Sequence, residues 1–416
     1  MRRDVPDERE SKVASYSRRW PTVFEWAQGS WLRDVDGTEY LDFFAGAGSL
    51  NYGHNHPALV GGLISYLESN GPLCTLDLAT SARRQLLDAL QERLLGPRGM
   101  SHRVQFTSPS GAAAVEAALR LARKVTGRRR VVSLAGGFHG MSLDAISVSD
   151  VAPADGRPTL DSSEYCFVPH EADVGLTSAI AALGEVLTLG EPVAAVIVET
   201  VQAEGGVRSL SHAFLGEVER RCRETGAVFV VDDIQVGCGR TGSFFSFEEA
   251  GVRPDLVCLS KSLSAVGLPL SVVLVDPLLD VWSPGEHSGT FRGNDLAFVT
   301  ATIGLERWWS DRALAKDVER KGEVLLCLLD SLPPILGAGP PRGRGLLVGL
   351  PCRDREAADA VSRAAFAEGL LVETCGVDGQ VLKLSPPLTV TDAELDRAVT
   401  ILSTAVELWA RNGNSG

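Results

Sequence analysis

Three residues of this chain follow buried strands and carry side chains suited to covalent or proton chemistry. Lys261 comes after the apolar run 256–259, in Leu259-Ser260-Lys261-Ser262-Leu263-Ser264. A half-buried amine at such a place has a lowered pKa and becomes nucleophilic toward a carbonyl carbon. A lysine with a covered stem and a solvated head fits the same segment. Asp232 and Asp233 follow the run 228–231. In open parallel sheets ligands bind beyond the C-terminal strand ends. A partly desolvated carboxylate there needs a cationic partner. A protonated pyridine nitrogen would serve, as would a structural salt bridge.

Three further segments carry possible binding groups. Ser108-Pro109-Ser110-Gly111-Ala112-Ala113 is a small-residue loop that runs into a helical pattern through Leu119, Leu121 and Ala122. Backbone N–H groups at such a start bind phosphate through hydrogen bonds and the helix dipole, and Ser110 adds a hydroxyl; an ordinary N-cap reads the same way. Gly136-Gly137-Phe138-His139-Gly140 places an aromatic ring able to stack on a flat ligand, and an imidazole, after the run 131–134. His54 and His56 flank Asn55 without carboxylate or cysteine neighbours at metal spacing, so they read as structural and no metal site is expected. Gly237-Cys238-Gly239-Arg240-Thr241-Gly242 spells G-x-G-x-x-G, but no amphipathic helix follows it, which argues against a dinucleotide site.

The elements that position these residues read as α/β. Alternating runs around Asp36-Gly37 predict a hairpin near the N-terminus. From about residue 58, helical patterns at 80–94, 111–125, 211–224 and 294–309 alternate with apolar runs at 131–134, 194–198, 228–231, 256–259 and 271–275. Runs that are apolar throughout predict strands covered on both faces, hence a mainly parallel sheet. After about residue 312 come a helix at 314–331 ending in Pro333-Pro334, short strands at 345–350 and 370–374, and helices at 355–367 and 392–411. The expected division is an N-terminal segment (1–57) joining a smaller C-terminal α+β domain (312–416), both flanking a large domain (58–311).

Composition narrows the function. The 416 residues include 44% hydrophobic and 22% charged residues, enough for a sizeable core. A net charge of −13 without long basic runs argues against nucleic acid or an anionic membrane surface as partner. Arg128-Arg129-Arg130 and the pair Arg342/Arg344 read as solvated edges. No apolar stretch reaches membrane-spanning length, and the charged start Met1-Arg2-Arg3-Asp4 lacks a signal-peptide core, so a cytoplasmic location is expected. The eight cysteines form no C-x-x-C and read as buried free thiols.

The order of these segments carries more than any one of them. Ser110-Gly111-Ala112 and Gly137-Phe138-His139-Gly140 precede Glu199-Thr200-Val201-Gln202-Ala203-Glu204-Gly205-Gly206. Asp232-Asp233-Ile234-Gln235, Ser260-Lys261 and Gly289-Thr290-Phe291-Arg292-Gly293-Asn294 follow. Over nearly its whole length the chain resembles the class III (ornithine/4-aminobutyrate type) pyridoxal-phosphate aminotransferases. The resemblance implies fold type I of the pyridoxal-phosphate-dependent transferases, with a mainly parallel seven-stranded sheet in the large domain. It implies that Lys261 bonds the coenzyme aldehyde and shuttles the proton, and that Asp232 holds the pyridine nitrogen protonated so that the ring acts as an electron sink. It further implies Gln235 at the ring's 3-oxygen, Phe138 on the ring face beside His139, and Ser110, Gly111 and Ala112 around the phosphate. Thr290 would reach the phosphate of a neighbouring subunit, which implies a homodimer with shared sites, and two dimers could associate further.

Within the family, Ser15-Tyr16-Ser17-Arg18-Arg19-Trp20-Pro21, Phe43-Phe44-Ala45-Gly46-Ala47-Gly48, Asn51-Tyr52-Gly53-His54-Asn55 and Leu382-Lys383-Leu384-Ser385-Pro386-Pro387-Leu388 are similar to the diaminobutyrate–2-oxoglutarate transaminase branch. That resemblance implies glutamate as amino donor and aspartate 4-semialdehyde as acceptor, giving L-2,4-diaminobutyrate. Lys383 stands where ornithine-type branches have an arginine that pairs with a gate glutamate, here Glu204, and binds an α-carboxylate. Lysine keeps the charge but loses the bidentate fork, so carboxylate binding is expected to shift partly to Arg18 or Arg292. Cys74-Thr75, Ala203 and Ala265-Val266 depart from His-Gly, Gly and Gly-Tyr of the branch. They bear on the acceptor rather than on the chemistry. A different terminal amine or aldehyde, an aminomutase, or a silent binding module remain alternatives; the intact Lys261, Asp232 and Gln235 argue against the last.

Overall fold

The structure is a computed structural model that describes residues 9–151, 164–332 and 339–413. The charged start at 1–8 and the Pro333-Pro334 pair lie outside these residues.

A seven-stranded sheet forms the centre, in the order Arg103–Phe106, Val272–Val275, Leu256–Leu259, Val228–Asp232, Val193–Val198, Arg130–Leu134 and Tyr165–Val168. Val272–Val275 is antiparallel to both neighbours, while the other adjacent pairs are parallel. The sheet is thus mainly parallel, as the apolar runs require. Successive side chains point to opposite faces. Val131, Ala195, Ile197, Val230 and Cys258 pack under the helix Gly111–Thr126, with its Ala114, Ala118, Leu121 and Ala122. Val132, Val196, Phe229, Val231 and Val257 face the other layer, with Ala179 and Leu183 of Leu176–Thr188, Phe214 and Val218 of His212–Thr225, and Phe298 of Asp295–Trp308.

The predicted hairpin forms as Trp31–Asp34 and Glu39–Asp42, paired antiparallel. Its second strand pairs parallel with Leu370–Leu371. Leu41 and Phe43 pack in one cluster with Leu325, Val348, Leu382, Leu384 and Leu402. A further antiparallel sheet runs Arg342–Arg344, Leu347–Pro351, Val381–Leu384, Glu373–Cys375. The stretch 370–374, expected as one strand, is therefore two: it leaves the hairpin sheet at Leu371 and enters the second sheet at Glu373.

Several expectations need correction. The helix expected over 80–94 is α-helical only over Ser81–Ala89 and widens to a π turn over Leu90–Leu95. Of the eight cysteines, Cys74 and Cys327 are exposed and Cys166 is half-buried. The basic clusters are not simply solvated. Arg128 Nη1 donates to Val193 O and Thr225 O, both at 2.9 Å, and Arg342 Nε donates to Gly206 O at 3.0 Å. They satisfy carbonyls at strand and helix ends, a demand that composition does not reveal. Among the described residues no helix is long and apolar enough to cross a membrane.

Candidate active site

Four neighbouring strands deliver the candidate residues to one edge of the large sheet. Asp232 is the last residue of its strand, Lys261 follows Leu259, Glu199 follows Val198, and the loop with Phe138 and His139 follows Leu134. These are C-terminal strand ends, where the parallel arrangement opens a crevice.

Asp232 is buried, and both its oxygens are engaged. Oδ2 lies 2.7 Å from His139 Nδ1, and Oδ1 accepts from Ile234 N at 3.1 Å. His139 Nε2 lies 3.2 Å from Ser133 Oγ, and its backbone N donates to Ser149 Oγ at 2.8 Å. These partners assign the proton to Nδ1, facing the carboxylate. Burial disfavours the imidazolium, but the hydrogen bond and charge of Asp232 outweigh it, and the pKa of His139 is raised. Phe138, half-buried, donates its N–H to Glu199 Oε2 at 2.9 Å. Burial, with help from the charge of Asp232 and against His139, pushes the Glu199 carboxyl up to about 7.

The anion cup is a helix start. Ser110 caps Gly111–Thr126, its Oγ accepting from Ala113 N at 3.2 Å. The N–H groups of Gly111 and Ala112 have no carbonyl one turn earlier and point outward. Two close approaches fix the cup against the rest of the site. A Cβ on Gly111 would stand 3.0 Å from Ile234 Cγ2, next to the Asp232 loop. A Cβ on Gly140 would stand 2.7 Å from Ala112 Cβ, and Gly140 has φ +126°, which disfavours a side chain.

Lys261 opens a short 3₁₀ turn, Lys261–Ser264, with a left-handed φ of 43°. A non-glycine residue there costs ~1–3 kcal/mol and persists only where packing over-determines it. Its Nζ donates to Gln235 Oε1. Burial lowers the amine to about 8; Lys383 pushes the same way, while Glu204, Glu373 and Asp232 oppose. Gln235 Nε2 donates to Glu204 Oε1 at 3.3 Å, and the same oxygen accepts from Lys383 Nζ. Lys383 lies opposite Glu373 in the antiparallel ladder, with Nζ 3.0 Å from Glu373 Oε1. Tyr16 OH reaches Glu373 Oε2 at 3.5 Å. Burial would lower the Lys383 pKa, but its two carboxylates raise it well above the usual lysine range. Burial and the Glu373 charge push the Tyr16 phenol up to about 12.

Other candidates stand apart from this set. Arg18 is exposed, its Nε donating to Ala14 O at 3.0 Å. Arg292 donates Nη1 to His287 O at 2.6 Å and pairs through Nη2 with Asp77. Neither pairs with the carboxylates around Lys383 in this chain. Thr290 is exposed in the turn Thr290–Arg292, and its carbonyl accepts from Cys74 Sγ at 3.5 Å. His54 pairs with Asp42 at 2.7 Å and His56 caps Pro57–Glu68. Sequence reasoning gave no role to Glu199 or Glu373. Glu199 had a signal, a carboxylate directly after a buried strand; Glu373 had only a charge within an apolar run.

The group of donors suits a planar, phosphate-bearing aldehyde: a bare helix start for the anion, a buried carboxylate for a ring cation, a half-buried aromatic face and an amine of lowered pKa. Comparison with known proteins agrees. Residues 13–406 match the family model for aminotransferase class-III. A diaminobutyrate–2-oxoglutarate transaminase of Nocardia farcinica is 47% identical over 411 residues, covering 97% of this chain and 94% of that protein. One from Bordetella parapertussis is 46% identical over 410 residues, covering 96% and 94%. The solved ornithine aminotransferase of Toxoplasma gondii, described with partial occupancy of PLP at its active site, superposes with a TM-score of 0.80 at 28% identity, covering 94% of this chain and 91% of that one. The chain belongs to the class III aminotransferases.

Proposed function

We propose that the protein moves an amino group between glutamate/2-oxoglutarate and the terminal carbon of aspartate 4-semialdehyde, forming L-2,4-diaminobutyrate. The observation that carries this reading is the near-half identity, over almost the full length, to transaminases named for diaminobutyrate and 2-oxoglutarate. Pyridoxal 5′-phosphate, when bound, supplies an electron sink that lets the C–H bond beside the amine break.

The chain's own groups have separable tasks in this reading. Ser110, Gly111 and Ala112 hold the phosphate, Phe138 covers the ring and Gln235 lies beside Lys261. Asp232, oriented by His139, holds a proton on the ring nitrogen. Lys261 would be the group that holds the coenzyme through its aldehyde, and its amine is placed to accept and return the proton of the C–H bond that breaks. That task needs a neutral amine near working pH, which fits the depressed value near 8. Glu204 and Lys383 contact the substrate end remote from the reacting carbon. The working unit is inferred to be a homodimer: Leu73, Leu76, Leu78 and Phe291 are exposed apolar residues near Thr290 and Cys74, and a partner surface would cover them.

The test is a panel of half-reactions on the purified holoenzyme, followed by coenzyme absorbance, with product identified by mass. Conversion with glutamate and with L-2,4-diaminobutyrate is expected. Conversion of neither, with another diamine or aldehyde active instead, replaces the substrate assignment. Rearrangement without an external donor marks an aminomutase.

A further inference from the structure

The run Gly237-Cys238-Gly239-Arg240-Thr241-Gly242 comes shortly after Asp232 and is buried throughout. Its glycines allow close approach. A Cβ on Gly237 would stand 2.5 Å from Asp233 O, and one on Gly239, at φ +86°, would stand 2.5 Å from Trp309 Cζ2. The tight run delivers one large side chain, Arg240, which is 0% exposed. Its Nη1 donates to Leu346 O at 2.9 Å and to Pro386 O, and its Nη2 donates to Asn51 Oδ1. All three acceptors are neutral oxygens, and among the described residues no carboxylate pairs with this guanidinium. One planar group thus ties the N-terminal segment to two places in the C-terminal region. A lysine ammonium is a compact point charge and lacks this planar reach.

Asn51 carries the contact onward. It is fully buried, and each of its polar groups is engaged. Oδ1 accepts from Arg240, and Nδ2 donates to Cys238 O at 3.0 Å. Its carbonyl accepts from Leu388 N at 2.6 Å, and its backbone N donates to Ser262 Oγ at 3.0 Å. Ser262 Oγ in turn donates to Gly48 O at 2.8 Å. Ser262 is the neighbour of Lys261, whose φ of 43° persists only where the surroundings over-determine it. A serine hydroxyl held from two sides is such a constraint.

We infer that Arg240 is a positioning residue for Lys261: through Asn51 and Ser262 it keeps the Lys261 turn in its left-handed conformation, in register with the C-terminal region. The inference rests on the coenzyme-bonding reading of Lys261 and adds to it a residue outside the crevice. Sealed from solvent, Arg240 acts through its neighbours. The glycine-rich run has its use here, as the tight backbone that lets a guanidinium reach Asn51.

Two readouts test this: the pH midpoint of aldehyde uptake by the coenzyme-free protein, and kcat of the holoenzyme. Arg240→Lys keeps the charge and loses the fork. A loosened Lys261 turn admits water to the amine and relieves the burial that lowers its pKa. The midpoint should therefore move up from about 8, and kcat should fall by about tenfold, the scale of a hydrogen bond to a charged group. Ser262→Ala cuts the same path beside the lysine and should shift the midpoint the same way. The double variant should shift it little further, because both changes act along one path. Leu183→Ala, a cavity in the outer layer of the large sheet, should leave the midpoint in place, since loss of stability alone does not expose the amine. A folded Arg240→Lys with the wild-type midpoint and kcat overturns the inference. So do fully additive shifts in the double variant, or an equal shift in Leu183→Ala. If Arg240→Lys does not fold, Ser262→Ala decides, and an unchanged midpoint there overturns the inference. Wild-type protein that takes up no aldehyde at any pH overturns the Lys261 reading itself, and the inference with it.

Discussion

His139 Nδ1 lies 2.7 Å from Asp232 Oδ2, and both side chains are buried. The imidazole fixes one carboxylate oxygen and the Ile234 N–H fixes the other, so Asp232 cannot rotate away from the crevice. The carboxylate stays oriented by groups that themselves sit on strand ends.

Asp232→Asn removes the charge that a ring cation needs. A kcat loss of at least about a hundredfold is expected, on the scale of losing a preorganised electrostatic partner. His139→Asn should lower kcat/KM by about tenfold, one charge-assisted hydrogen bond. The two losses should be less than additive in the double variant, because they act through one carboxylate. Additive effects would show that His139 acts elsewhere.

Lys261 gives a pH signature. Its amine is neutral above about 8 instead of above the ordinary 10.5. The rate at which coenzyme-free protein takes up the aldehyde should therefore rise with pH to a midpoint near about 8, followed by absorbance. Glu204 raises this value by its charge, so Glu204→Gln should move the midpoint down. A midpoint that moves up would refute the assigned coupling. Lys261→Ala should abolish both the lysine-bound absorbance and turnover.

Gly111 tests the cup. Alanine there meets Ile234 Cγ2 and Cδ1 at 3.0 and 3.1 Å, so Ile234 must shift. Coenzyme Kd should weaken by about tenfold, equivalent to ~1.4 kcal/mol, with little change in the unfolding temperature of the coenzyme-free protein. An unchanged Kd from fluorescence titration would separate the cup from the Asp232 loop.

Leu41 is fully buried and packs with the C-terminal cluster. Leu41→Ala should cost ~2–5 kcal/mol in denaturant unfolding. A cost near that of a surface change, within ~0.5 kcal/mol, would mean that the hairpin contributes nothing to this core.

The central sheet was legible because its inner strands are apolar on both faces, as in 194–198 and 228–231. The edge strands Arg103–Phe106 and Tyr165–Val168 were not, because they are only partly buried and the first mixes polar with apolar residues. The split at Val372 is invisible in sequence, since no glycine or proline separates Leu371 from Glu373. In the site, Lys261 and Asp232 could be read from their places at the ends of buried strands, and Gln235 only through the family resemblance. Glu373 could not: its meaning depends on Lys383 lying opposite, a matter of ladder register rather than of local pattern.

That same change of sheet at Val372 ties the beginning of the chain to its end. Leu41 pairs with Leu370, and two residues beyond Leu371 comes the carboxylate that holds Lys383. On the ribosome the hairpin emerges well before residues 370–371 and stays unpartnered at that edge until they are made. The pairing of Glu373 with Lys383 is therefore assembled late, beside contacts of long sequence separation, and a nascent protein stalled before residue 370 would present a hairpin edge open to pairing with another chain.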